Sequence, residues 1–153
     1  MTPIALFLAL AAVPDAGPAL AWKVTYTTSF GADVGNGKIA ASGETTTVVT
    51  PVDVRMAAEG VTQGQATGSV LEPRPIDPKV RDAIAALLPK LPKSAAFSTS
   101  PYVDDEGWNS ANLAIELNGK TVRFQLQQGK RVPPLPPVLN ELLKLVGLAL
   151  KKP

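Results

Sequence analysis

A chain of 153 residues, 45% hydrophobic and 18% charged, can bury one core and is too apolar to be disordered by composition. Its 15 basic and 13 acidic residues leave a net charge of +2, without the clustered basic patch that a nucleic-acid binder shows. It has neither cysteine nor histidine, which excludes disulfides, thiol nucleophiles, Ser-His-Asp catalysis and the common zinc sites. Carboxylate-pair hydrolysis and oxygen-ligated calcium or magnesium stay open.

Residues 4–13, IALFLALAAV, make an apolar run the length of a signal-peptide core. A polar break follows at 14–18, and Ala19 and Ala21 are the small residues a signal peptidase reads. The expectation is a signal peptide over 1–21 and a single α+β domain over 22–153, secreted or periplasmic. A retained anchor is the alternative, but the run is shorter than the ~20 residues of a spanning helix, so no stable membrane span is expected after cleavage.

Residues 22–30, WKVTYTTSF, alternate: Trp22, Val24, Tyr26 and Thr28 share one face and Lys23, Thr25 and Thr27 the other. This predicts a strand with one wet face. Residues 31–37 read as a glycine-rich turn. No Lys-Ser/Thr follows in the register of a phosphate loop, so they are turn chemistry. A strand over 38–42 is interrupted by Gly43-Glu44, and 45–54 is one further strand with Pro51 at an edge or bulge. Residues 55–59 extend that strand up to Gly60. Another strand is expected around 65–71, and a proline-rich entry leads from 73 to 78.

Residues 77–91 carry the clearest helix signal. Asp77 can cap the first turn, Pro78 fits the first helical position, and Val80, Ile84, Leu87, Leu88 and Leu91 recur on one face. Pro89 and Pro92 end it. The chain is expected to be organised around this helix. Residues 93–107 read as loop. Residues 108–117 and 120–127 form a hairpin closed by Asn118-Gly119, with Leu113, Ile115, Leu117, Val122, Phe124 and Leu126 on its apolar face. A proline-rich spacer over 129–137 precedes a second helix over 138–150, with Lys151 and Lys152 at its negative end. The predicted fold is α+β: an antiparallel meander and a C-terminal hairpin form one sheet, with both helices packed on one face.

The most site-like stretch is Tyr102-Val103-Asp104-Asp105-Glu106-Gly107-Trp108, three carboxylates between two aromatics. The alternate spacing of a calcium loop is absent, so no metal and no cofactor is expected. Tyr102, Asp104, Asp105, Glu106 and Trp108 are the candidate partner-binding residues. A solvated turn is the plainer alternative.

Four stretches are similar to the emfourin type, small proteins that include an inhibitor of thermolysin-like metalloproteases. They are residues 24–31 (VTYTTSFG), the helix at 77–88, residues 100–108 feeding the hairpin at Asn118-Gly119, and the closing helix at 135–148. Phe30-Gly31 departs from the Gly pair more typical there, and residues 44–64 are longer than such a meander needs. The resemblance implies that loops at one end of the sheet plug a protease cleft. Carboxylates such as Asp104, Asp105 or Glu106 would then approach the zinc, and Tyr102 and Trp108 would anchor. The expected function is an exported, non-catalytic binding domain with a protein partner, a metalloprotease under the resemblance, and no nucleic acid. The rivals are an envelope accessory protein assembling through a sheet edge or the C-terminal helix, and a carboxylate hydrolase.

Overall fold

The computed structural model describes residues 21–33, 39–92, 102–104, 107–126 and 135–151. Residues 1–20 of the expected export signal lie outside them. The strands are β1 (Trp22–Asp33), β2 (Ile39–Val49), β3 (Asp53–Thr62), β4 (Gln65–Pro75), β5 (Tyr102–Asp104), β6 (Gly107–Leu117) and β7 (Lys120–Leu126); the helices are α1 (Pro78–Leu87) and α2 (Pro137–Ala149).

All strand pairs are antiparallel, in the order β4-β3-β2-β1-β6. Strands β5 and β7 lie end to end along the far side of β6, so seven strands make six rows. The expected meander, hairpin and two helices on one face are all present.

Alternation decides which face is buried. Val24 stands between Val49 and Ile115, Tyr26 between Thr47 and Leu113, and Leu113 is opposite Phe124. These residues share the inner face, where both helices pack. The other face carries Thr25, Thr27, Thr46 and the Lys23–Glu116 ion pair of 2.7 Å, whose side chains are nearly half exposed and whose contribution is correspondingly small.

Helix α1 begins as its sequence requires: the backbone N–H of Lys79 donates to Asp77 Oδ1 at 2.7 Å, with Pro78 at the first position. It ends in one turn of 3₁₀ helix, Leu88–Lys90. Its contribution to the core is modest, since Ile84 alone is buried in α1 and Leu88 in the turn after it. Helix α2 buries Leu139, Leu142, Leu145, Val146 and Ala149. The expectation of a fold organised around α1 is therefore corrected: α2 and the sheet hold most of the core, because α2 lies with a whole apolar stripe against other elements.

Arg74, just past a bulge in β4, reaches the C-terminal end of α2 and donates to the Ala149 carbonyl at 3.5 Å. A cation there also meets the negative pole of the helix. Arg74→Ala is expected to lower stability by about 0.5–1 kcal/mol, with the urea midpoint as the readout.

Five sequence-based boundaries change. Strand β1 runs on to Asp33, through the start of the expected turn. Strand β2 is continuous through Gly43-Glu44. The expected strand over 45–54 breaks at Thr50-Pro51-Val52, where Thr50 caps a turn. Its hydroxyl donates to Asp53 Oδ1 at 2.8 Å and accepts from Asp53 N–H at 3.0 Å. Strand β3 continues through Gly60, and β4 extends to Pro75; the turn between them has Gln63 and Gly64 at φ 50 and 78. Asn118 and Gly119 have nearly the same angles, 49 and 78, which closes the β6–β7 hairpin as expected.

The Arg55 guanidinium donates twice to Asp53 Oδ2, at 2.8 and 2.9 Å, and with Thr50 holds the Asp53 carboxyl below the ordinary carboxylate value. A depressed folded-state pKa stabilises above the unfolded value of about 3.9 and is lost as pH falls through the folded one. Stability is expected to drop on acidification below about pH 4, with Asp53→Asn weakening that dependence in urea titrations run at several pH values.

Candidate functional site

Among the described residues, the sheet is least buried at one end, where residues 61–70 are all exposed. The β3–β4 turn, the last residues of β1 and β5 and the first residues of β2 and β6 all lie at that end. Below them, the inner-face row Phe30, Gly43, Gly60, Thr67 crosses four strands. Phe30 is 48% exposed, and its ring lies on Gly43, where an added Cβ would come within 2.6 Å of it. Strands β2 and β3 approach so closely beside it that a Cβ on Gly60 would come within 2.6 Å of the Ser42 carbonyl oxygen.

The outer face of the same region carries the rows Ser29, Glu44, Glu59, Gly68 and Gly31, Ser42, Val61, Ala66. An open hollow of about 730 Å³ lies here, lined by Ser29, Glu44, Glu59, Val61, Ala66 and Gly68 among others. The Ser29 hydroxyl donates to Glu44 Oε2 at 3.1 Å. Glu44 and Glu59 are direct cross-strand partners, a placement that costs stability for like charges. Among the described residues neither has an ion-pair partner. Among the described residues strand β4 closes this side as a free edge: residues 65–70 are all exposed, Val70 at 75%, and no charge occurs from Gln63 to Leu71.

Chemically, this end offers two open carboxylates, hydroxyls, unpaired edge backbone and apolar patches, which suits docking of a polypeptide. Among the described residues no group of three Asp or Glu could hold a metal ion. An apolar cleft of about 210 Å³ lies between α2 and the sheet, with Tyr26, Thr45, Met56, Val146 and Gly147 in its wall.

The stretch expected to be a site loop is strand for most of its length. Tyr102 and Asp104 are in β5, and Trp108 is in β6, opposite Val103 on one side and Gly31 on the other. Asp105 and Glu106 lie outside the described residues. The pairing of Gly31 with both Trp108 and Ser42 places this stretch at the same end of the sheet as the hollow, but along the opposite edge. Sequence reasoning missed Phe30, Glu44, Glu59 and the glycines. The one available signal was the mirrored pair Gly43-Glu44 and Glu59-Gly60 about the turn at Pro51-Val52, which antiparallel pairing brings face to face.

Comparison with protein-family models, with curated proteins and with solved structures gives no match.

Proposed function

We propose that this chain is a non-catalytic protein-binding domain that meets its partner with the free end of its sheet. One observation carries the reading: departures from strand rules gather at that end. Glycines occupy neighbouring positions in three strands, two like charges face each other, an aromatic ring is half exposed, and the edge beside them is uncharged. Such local violations concentrate where function is served.

The resemblance to the emfourin type makes an exported thermolysin-type metalloprotease the first partner to test. The gathering of strand ends at one end supports a plug for a cleft, with β5, which carries Tyr102 and Asp104, and Trp108 of β6 along one edge of it. The apolar run at 4–13 supports export. The test is titration of the purified protein into a thermolysin-type protease, reading residual activity on a short peptide. Stoichiometric loss, weakened by Asp104→Asn, Asp105→Asn and Glu106→Gln together, is the expected outcome. Full activity beside excess, folded, uncleaved protein would remove the inhibitor reading.

Assembly into an envelope structure is the second reading, favoured by the uncharged β4 edge. The burial of Leu139, Leu142, Leu145 and Val146 of α2 favours the sheet edge over the C-terminal helix as the assembling surface. Concentration-dependent association in sedimentation, abolished by Ser69→Lys in β4, would establish it.

A further inference from the structure

We propose that the β4 edge takes up an extended basic segment of a partner as an additional antiparallel strand, with a Lys or Arg of that segment opposite Gly68. The proposal rests on reading this end of the sheet as the partner-binding end, and it names the chemistry of the segment bound.

Backbone comes first. A free edge strand presents unpaired N–H and C=O groups to any extended chain, and natural proteins blunt such edges with charge, proline or bulges. In β4 the bulge, Pro73 and Pro75 all lie in the last third, leaving residues 65–70 exposed and residues 65–71 without a charged side chain.

Charge then selects the occupant. On the outer face the row runs Glu44, Glu59, Gly68 and off the edge. Adjacent rows are about 4.8 Å apart, so Glu59 lies on the order of 10 Å from the axis of an added strand. A short side chain would not cross that gap. A Lys or Arg can, because Gly68 has no side chain to obstruct it: a Cβ there would find only the Ala58 carbonyl oxygen, at 3.5 Å. Its cationic head would meet the Glu59 carboxylate, whose direct cross-strand neighbour is Glu44; neither has an ion-pair partner among the described residues. The like-charge pair, unfavourable in the free domain, becomes the recognition element in the complex.

A second copy of this chain fits less well. Residues 63–73 contain no Lys or Arg, so β4 paired with β4 near Gly68 would leave Glu44 and Glu59 uncompensated.

The probes are three synthetic peptides, Thr-Val-Thr-Xaa-Thr-Val-Thr, with Xaa as Arg, Leu or Glu. They are titrated to millimolar concentration into the ¹⁵N-labelled protein, reading amide shifts. The Arg peptide is expected to shift amides of residues 65–71 and to bind at least tenfold tighter than the Glu peptide, with Leu between. Glu44→Gln with Glu59→Gln is expected to collapse that ratio to within twofold while the urea midpoint holds or rises, since a repulsion is removed. Equal binding of the three peptides, no binding, shifts away from β4, or a β4-mediated dimer that excludes the peptides would each overturn the proposal. Protease inhibition without peptide preference would leave the proposed function standing and remove this inference alone; peptide preference without inhibition would uphold this inference and the partner-binding end and remove the inhibitor reading alone.

Discussion

Phe124→Ala is expected to destabilise the domain by about 3–5 kcal/mol, a large part of the ~5–15 kcal/mol a domain of this size possesses. Phe124 is 1% exposed in β7 and faces Leu113 of β6, whose neighbours Ala111 and Ile115 are also buried. Removing the ring loses its transfer free energy and leaves a cavity that β6 and the helices can close only in part. Urea unfolding monitored by circular dichroism measures the change. Phe30→Ala is the internal comparison. That ring is half exposed at the uncovered end of the sheet, so its loss is expected to cost under about 1 kcal/mol. Equal costs for the two substitutions would mean that the helices do not cover the face assigned to them.

Gly60→Val is expected to cost about 1–3 kcal/mol, although valine is the better strand residue by propensity. Its new Cβ would lie 2.6 Å from the Ser42 carbonyl oxygen and 3.2 Å from Gly43 Cα, both backbone atoms that move only if β2 and β3 separate. Gly68→Val, one strand over, is expected to be neutral or stabilising, because its nearest neighbour is at an ordinary 3.5 Å and the glycine's backbone freedom is lost from the unfolded chain. The two substitutions are chemically identical and both lie in strands, so opposite signs in parallel urea titrations test the close approach of β2 and β3 directly. A neutral Gly60→Val would remove that approach as the reason for the glycine.

The amino-acid sequence by itself determined the features whose causes lie within a few residues. Asp77 and Pro78 start α1 because a cap and a proline act on the next turn of backbone. Asn118-Gly119 closes the β6–β7 hairpin because those two residues accept positive φ. The inner faces of β1, β6 and β7 follow from a period of two. Tertiary structure decided the rest. Gly43 reads as a break, yet β2 runs through it, because pairing with β1 and β3 on both sides supplies the hydrogen bonds that a glycine's weak propensity would otherwise forfeit. Nothing local places β1 between β2 and β6, sets Arg74 against the end of α2 some 75 residues away, or makes α2 more buried than α1. The candidate site belongs to this second group. Ser29, Glu44, Glu59 and Gly68 come from four strands, and only register makes them neighbours, since a slip of one residue would turn each to the other face.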